Sequence, residues 1–316
     1  MPNVLFIESV HDILQHRLEA AGYTCELRYE ATRADILQSL DRYEGIVVRS
    51  RIAIDRELID AATNLRFIAR SGSGLENIDV ANAESKGIRV LNSPEGNRAA
   101  VGEHAIGMLL MLMNNLRQAD ADVRAGRWPR EENRGYEVEG KTVGIIGYGL
   151  MGSSFAQKLK GFGAKVIAYD KYKSGYSSDI VQEVTLETLK ATSDIVSLHL
   201  PLNSETHYFA DTAFFNSFEK PFYFINTARG KNTETAALVE ALKNGNVRGA
   251  CIDVIEYEKA SLEGLEKDPS MTAMRELIAM PNVVLSPHIA GWTHESYEKL
   301  SSVLADKILG GRIVGL

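Results

Sequence analysis

Between Lys141 and Asp170 the chain reads Lys-Thr-Val-Gly-Ile-Ile-Gly-Tyr-Gly-Leu-Met-Gly, then a helical stretch, then Ala164-Lys-Val-Ile-Ala-Tyr-Asp170. A strand, a glycine turn, a helix and a second strand ending on an acid form the layout of a dinucleotide-binding unit. Gly147 permits the tight turn after the strand. Gly149, without a Cβ, lets the backbone approach a pyrophosphate. Gly152 lets the helix pack closely on the sheet. That helix runs from about Leu150 to Leu159. Its first turn, Leu150 and Met151 included, points free N–H groups and the positive end of its dipole at the phosphates. Asp170 stands where an acid bonds ribose hydroxyls, and it repels a 2′-phosphate, so NAD is favoured over NADP. Lys171 and Lys173 act in the opposite sense. A βαβ turn with no ligand is the competing reading, and the two strands in register with the acid argue against it.

The rest of the chain repeats the rhythm. Val4–Ile7, Thr24–Arg28, Gly45–Val48, Leu65–Ala69 and Ile88–Leu91 read as strands with helices between them, which gives a parallel sheet covered on both faces. A single long helix is expected from about Asn97 to Arg124. Beyond the dinucleotide unit, strands are expected at Ile195–Leu200, Phe222–Asn226, Val247–Asp253 and Val283–Ser286. A last helix is expected at Thr293–Leu309. The 316 residues suit two domains. A net charge of −7 argues against a nucleic-acid surface. Cys25 and Cys251 lack metal-type spacing, so buried free thiols are expected and no metal site. The N-terminus lacks a secretory pattern, and the apolar run Ala105–Met113 is too short to span a bilayer. A cytoplasmic location, with no membrane or nucleic-acid partner, is the expectation.

Open parallel sheets bind ligands beyond the carboxyl ends of their strands. At such ends the chain places Asn226-Thr-Ala-Arg-Gly230, Asp253 with Glu258 in the loop behind it, and Ser286-Pro-His-Ile-Ala-Gly291. An Arg holds a carboxylate bidentately. A His passes a proton near neutral pH, and an acid beside it favours the imidazolium. Together with a nicotinamide, these groups suit reduction of a 2-keto acid.

The same segments carry a resemblance over nearly the whole chain. Ser71-Gly-Ser-Gly-Leu-Glu-Asn-Ile-Asp79, Asn92–Asn97 with Glu103-His104, Asp194–His207, Ile225–Gly230, Asp253–Glu258 and Pro287–Gly291 resemble, in order, the motifs of the D-isomer-specific 2-hydroxyacid dehydrogenases. The resemblance implies two doubly wound parallel-sheet α/β domains. A flavodoxin-like substrate domain would be formed by residues 1–97 and 290–316, and a Rossmann NAD-binding domain by 98–289, with the active site in the cleft between them. It implies that Arg229 binds the substrate carboxylate and carbonyl, that His288 is acid or base, and that Glu258 orients and charges His288. The N–H groups of Ser73 and Gly74 would hold the carboxylate. Asp253 would face the nicotinamide amide, and His199-Leu-Pro201 and Thr227 would lie along the cofactor.

Within the family, Arg49-Ser-Arg51 and Asn92–Asn97 look most like the D-3-phosphoglycerate dehydrogenases, with Arg49 a candidate for a phosphate at the substrate's far end. Long-form members add a regulatory domain, so serine control through one is not expected in a chain ending at Leu316. A homodimer is implied by resemblance. The near alternative is hydroxypyruvate or glyoxylate reduction. The distant one is an NAD-sensing scaffold resembling the C-terminal binding corepressors. Four positions depart from the family pattern or complicate it. Lys259 replaces a usual Pro, Glu256 is a second acid near Glu258, and Met151 replaces a frequent Ile. Trp292 replaces a small residue, where it either shapes the substrate pocket or caps the last helix.

Overall fold

In the computed structural model, which describes residues 2–258 and 271–310, the chain divides into two compact units. One is Met1–Arg98 with Trp292–Leu316, the other Ala99–Gly291. The first unit alternates β1 (Asn3–Phe6), α1 (Ile13–Ala20), β2 (Thr24–Leu27), α2 (Arg33–Leu37), β3 (Gly45–Val48), α3 (Arg56–Ala61), β4 (Phe67–Arg70), α4 (Val80–Ser85) and β5 (Arg89–Asn92). Its strands pair in parallel in the order β2-β1-β3-β4-β5, a doubly wound sheet. The Gly-Ile-Val-Val run of β3 is buried throughout, as a parallel strand covered on both faces must be. Alternate residues go to opposite cores: Leu5, Ile46 and Val48 face one way, Val4, Phe6 and Val47 the other.

The chain passes into the second unit within α5 (Pro94–Met113). There follow α6 (Leu116–Arg124), β6 (Thr142–Ile146), α7 (Leu150–Leu159), β7 (Lys165–Tyr169), β8 (Gln182–Glu183), α8 (Leu186–Thr192), β9 (Ile195–Leu198), α9 (Thr212–Asn216), β10 (Phe222–Asn226), α10 (Thr235–Lys243), β11 (Val247–Ile252), α11 (Thr272–Ala279) and β12 (Val283–Leu285). The strands are parallel throughout, in the order β12-β11-β10-β9-β6-β7-β8, so the direction of winding reverses between β6 and β9. Finally α12 (His294–Leu309) returns to the first unit, burying Leu304, Ala305 and Ile308 with Val4, Phe6 and Val47.

Two expectations fail for local reasons, and three short elements go unannounced in the sequence. The helix expected from Asn97 to Arg124 is two helices. Asn115 takes a left-handed φ of 53°, which Asn tolerates, and the Met113 carbonyl accepts Tyr136 N–H at 2.8 Å. Cys25 is only half-buried, because β2 is an edge strand, whereas Cys251 is buried. The short elements α4, β8 and α9 carry no periodicity over so few residues. The first and last of these helices start instead on single acids, Asp79 and Asp211, whose side chains accept the Asn82 and Phe214 N–H groups.

Candidate active site

Strand register builds the site of the second unit. Ile146 pairs with Leu198, Leu198 with Asn226, Asn226 with Ile252, and Ile252 with Leu285. The next residue of each strand therefore falls in one row across the carboxyl edge: Gly147, His199, Thr227, Asp253 and Ser286. Neighbours in such a row stand about 5 Å apart.

At the β6–β9 reversal lies the glycine turn. Gly147 has φ +93°, and a Cβ there would sit 2.5 Å from the His199 carbonyl oxygen. A Cβ on Gly152 would sit 2.1 Å from the Gly147 carbonyl oxygen, so the first turn of α7, with Leu150 and Met151, presses directly on the turn. Around Gly149 nothing lies within 4 Å of a notional Cβ, which leaves room for an approaching ligand. The Asp170 carboxylate accepts N–H groups from Tyr148 at 2.8 Å, Tyr172 at 2.9 Å and Lys173 at 3.0 Å. It thereby ties the end of β7 to the glycine turn. His199 bonds Ser197 through Nε2 at 2.9 Å, and burial pushes its pKa down to about 3, so it is neutral. Its Nδ1 and the Thr227 Oγ1 are buried without a partner. Two unspent polar atoms beside an open glycine cradle fit a polar cofactor. Pro201 is exposed, and its carbonyl accepts Thr206 Oγ1 and Asn232 Nδ2.

The candidate chemical groups come from three successive strand ends. His288 Nδ1 and Glu258 Oε2 are 2.8 Å apart. Nδ1 donates to the carboxylate, which leaves Nε2 for a substrate. Hydrogen bonding to Glu258, aided by the charges of Glu258 and Asp253, raises the His288 pKa against burial and the nearby Arg229 charge. His288 has a left-handed φ of 56°, a costly conformation for a residue with a Cβ. Asp253 explains its persistence. The Asp253 carbonyl accepts His288 N–H at 2.7 Å, and its carboxylate accepts Ile289 N–H and Ala290 N–H at 2.9 Å and Ser286 Oγ at 2.6 Å. Burial works to raise the Asp253 pKa, but bonds from His104, Ser286 and the main chain bring it below the ordinary carboxylate value.

Arg229 sits in the turn after β10. Asn226, fully buried, shapes that turn through Ala228 N–H and the Arg229 carbonyl. Gly230 lies against the next loop: a Cβ there would stand 1.9 Å from the Ile255 carbonyl oxygen. Glu256, the rival acid, accepts Thr235 N–H at the start of α10 and the Tyr208 hydroxyl, so Glu258 is the acid that meets His288. Lys259 lies outside the described residues. His104, named in the sequence only within the Glu103-His104 motif, joins this cluster from α5. Its Nε2 is 2.9 Å from Ser286 Oγ and 3.5 Å from Asp253, across 182 residues of chain. No local pattern announces a contact of that span.

The first unit holds the remaining candidates. Ser73 Oγ bonds Asn97 at 2.8 Å, and Asn92 Nδ2 bonds the Ser73 carbonyl at 2.6 Å, which fixes the loop after β4. Among the described residues the N–H groups of Ser73 and Gly74 meet no protein acceptor. Arg51 is spent on the Ala31 and Ile7 carbonyls. Arg49 instead lays its guanidinium over Trp292.

Residues 106–290, more than half of the chain, match the family described as D-isomer specific 2-hydroxyacid dehydrogenase, NAD binding domain. The chain belongs to this family. It is 34% identical over 308 residues to the D-3-phosphoglycerate dehydrogenase of Archaeoglobus fulgidus, covering 97% of this chain and 56% of that one. It is 35% identical over 275 residues to the hydroxypyruvate reductase of Thermotoga maritima, covering 87% and 86%. It thus spans little more than half the length of the phosphoglycerate dehydrogenase it matches. Among solved structures, the Aquifex aeolicus D-lactate dehydrogenase complexed with NAD and lactic acid matches with TM-score 0.81 and 26% identity over 99% of both chains. D-2-hydroxyisocaproate dehydrogenase matches with TM-score 0.83 and 30% identity, covering 99% and 98%. The family therefore accounts for both parallel sheets, and the second unit carries its NAD-binding domain.

Proposed function

We propose that this chain interconverts a D-2-hydroxy acid and its 2-keto acid with NAD, with 3-phosphoglycerate and 3-phosphohydroxypyruvate as the pair. The observation that carries the reading is the His288–Glu258 pair at 2.8 Å, within range of the Arg229 charge. The nucleotide, when bound, supplies or takes the hydride. Gly147, Gly149 and Gly152, with the N–H groups of Leu150 and Met151, would hold its phosphates, and Asp170 would hold its ribose. His199, Pro201 and Thr227 would lie along it, and Asp253 would face its nicotinamide amide.

Arg229 takes the substrate carboxylate and orients the carbonyl. Ser73 and Gly74 offer main-chain N–H groups to the same carboxylate. His288 holds a proton on Nε2, gives it to the carbonyl oxygen in reduction and takes it back in oxidation. Glu258 keeps the imidazole charged and turned. Residues 1–97 and 290–316 form the substrate-binding domain and 98–289 the cofactor domain. A phosphorylated substrate is supported by the Arg49 guanidinium, which makes no hydrogen bond among the described residues. Hydroxypyruvate or glyoxylate reduction is the second reading, favoured by the likeness that covers 86% of the hydroxypyruvate reductase. A homodimer is supported by the exposed Met111, Leu116, Val123, Trp128 and Tyr136 in and after α5 and α6.

The test is steady-state NADH oxidation with 3-phosphohydroxypyruvate, hydroxypyruvate and glyoxylate, compared by kcat/KM. Preference for the phosphorylated acid supports the first reading, and preference for either unphosphorylated acid the second. No turnover with any 2-keto acid leaves only an NAD-binding scaffold.

A further inference from the structure

In the first unit the order β2-β1-β3-β4-β5 puts the topological switch point between β1 and β3. Ligands of open α/β sheets bind beyond the strand ends at such a point. A cavity of about 310 Å³ lies there, lined by Ser9 after β1, Arg49 after β3, and Trp292, Thr293, His294 and Tyr297 at the start of α12. Its one described arginine is held by its surroundings. The Arg49 and Ser50 N–H groups go to Glu8 at 2.7 and 3.1 Å, and the Arg49 carbonyl accepts Arg70 Nε at 2.9 Å and Asn77 Nδ2 at 3.1 Å. The main chain is therefore fixed, while among the described residues the guanidinium makes no hydrogen bond and lies over an aromatic face.

That face is Trp292, whose ring centroid is 4.3 Å from Arg49 Cζ. The ring is itself supported. It meets Tyr297 edge-on at 5.7 Å, and Tyr297 meets His11 edge-on at 5.6 Å. The reciprocal Thr293–Ser296 capping box fixes the next residue of the chain. Capping thus falls to Thr293, and Trp292 is left to do something else. A guanidinium held over an indole has one side turned to the ring and, among the described residues, its N–H donors unspent. Those donors match the oxygens of a carboxylate or phosphate.

We propose that Trp292 is a specificity-determining residue: it holds the Arg49 guanidinium at the cavity so that Arg49 receives an oxyanion at the far end of the substrate. The inference rests on reading the chain as a 2-hydroxy-acid dehydrogenase. It assigns the substrate class as 2-keto acids carrying a second anionic group, carboxylate or phosphate.

The first arm of the test compares kcat/KM for 3-phosphohydroxypyruvate, oxaloacetate and glyoxylate in wild type, Trp292→Ala and Trp292→Tyr. In Trp292→Ala the preference for each anion-bearing acid over glyoxylate falls roughly three- to tenfold, the range of a partly exposed cation–π contact, with the loss in KM. Trp292→Tyr, which keeps a stacking face, restores most of it. An equal loss on all three acids, or an unchanged preference, overturns the inference. Which acid loses more separates phosphate from carboxylate.

The second arm needs no turnover, so it separates failure of this inference from failure of the enzymatic reading. The chain has two tryptophans. Trp128→Phe therefore leaves Trp292 as the only one. Its emission changes when 3-phosphoglycerate or D-malate is added and not with D-lactate, and Arg49→Gln removes the response. Emission indifferent to both anions, or a response that survives Arg49→Gln, overturns the inference.

Discussion

Gly230→Ala tests whether two loops hold the reactive groups in common. The new Cβ would fall 1.9 Å from the Ile255 carbonyl oxygen, 2.2 Å from its carbon and 2.8 Å from Glu256 N. All three are main-chain atoms, so no side chain can rotate aside. Ordinary contact lies near 3.5 Å, so one segment must retreat by about 1.5 Å. The retreating segment carries either Arg229 or Glu258, and with Glu258 the partner of His288. A misplacement of ~1 Å in a reacting constellation costs on the order of a hundredfold in rate. Overpacking at a close contact costs roughly 1–3 kcal/mol, a drop of a few degrees in the melting temperature of a unit this size. The assay is kcat/KM for the preferred keto acid, with NADH affinity by fluorescence and Tm on the same samples. NADH affinity should fall far less than kcat/KM, because the glycine turn after β6 is untouched. Wild-type kcat/KM with an unchanged Tm would refute the contact. A lowered Tm with full kcat/KM would refute the claim that the contact aligns the chemistry.

Three further outcomes are expected. His288→Ala abolishes turnover while NADH still binds, and turnover that survives removes the proton-transfer role. In Glu258→Gln the His288 pKa loses its chief raising partner. Because a raised pKa keeps the imidazolium present to higher pH, reduction in wild type falls only as pH passes that raised value. The falling limb of kcat/KM against pH should move to lower pH in the variant, and an unmoved limb contradicts the assignment. Asp170→Ala weakens NADH binding more than NADPH binding in paired titrations, because the carboxylate that repels a 2′-phosphate is gone. Equal losses remove the basis for cofactor choice.

What was legible in the sequence follows from physics that acts over a few residues. The glycine spacing of 147–152, the buried run of β3 and the reactive residues after β10, β11 and β12 all declare themselves within a dozen positions. The break at Asn115 is less legible, since it depends on Tyr136 reaching back to Met113. His104 is illegible, since its partners are brought to it only by the packing of α5 on the second sheet. Likewise the pairing of Arg49 with Trp292 joins opposite ends of the chain. Arg49 and Arg51 look alike as text, and only folding spends one on carbonyl oxygens and leaves the other stacked on a ring.

The left-handed backbone at His288 has an evolutionary consequence. Every residue of that turn from 288 to 290 is tethered through its amide to a single aspartate, Asp253. Loss of that carboxylate releases the Ile289 and Ala290 amides, so the turn can relax and carry the imidazole with it, however intact the imidazole itself remains. Random mutagenesis scored by activity alone would then rank positions 253 and 288 together. Neither position can then drift alone without loss of activity.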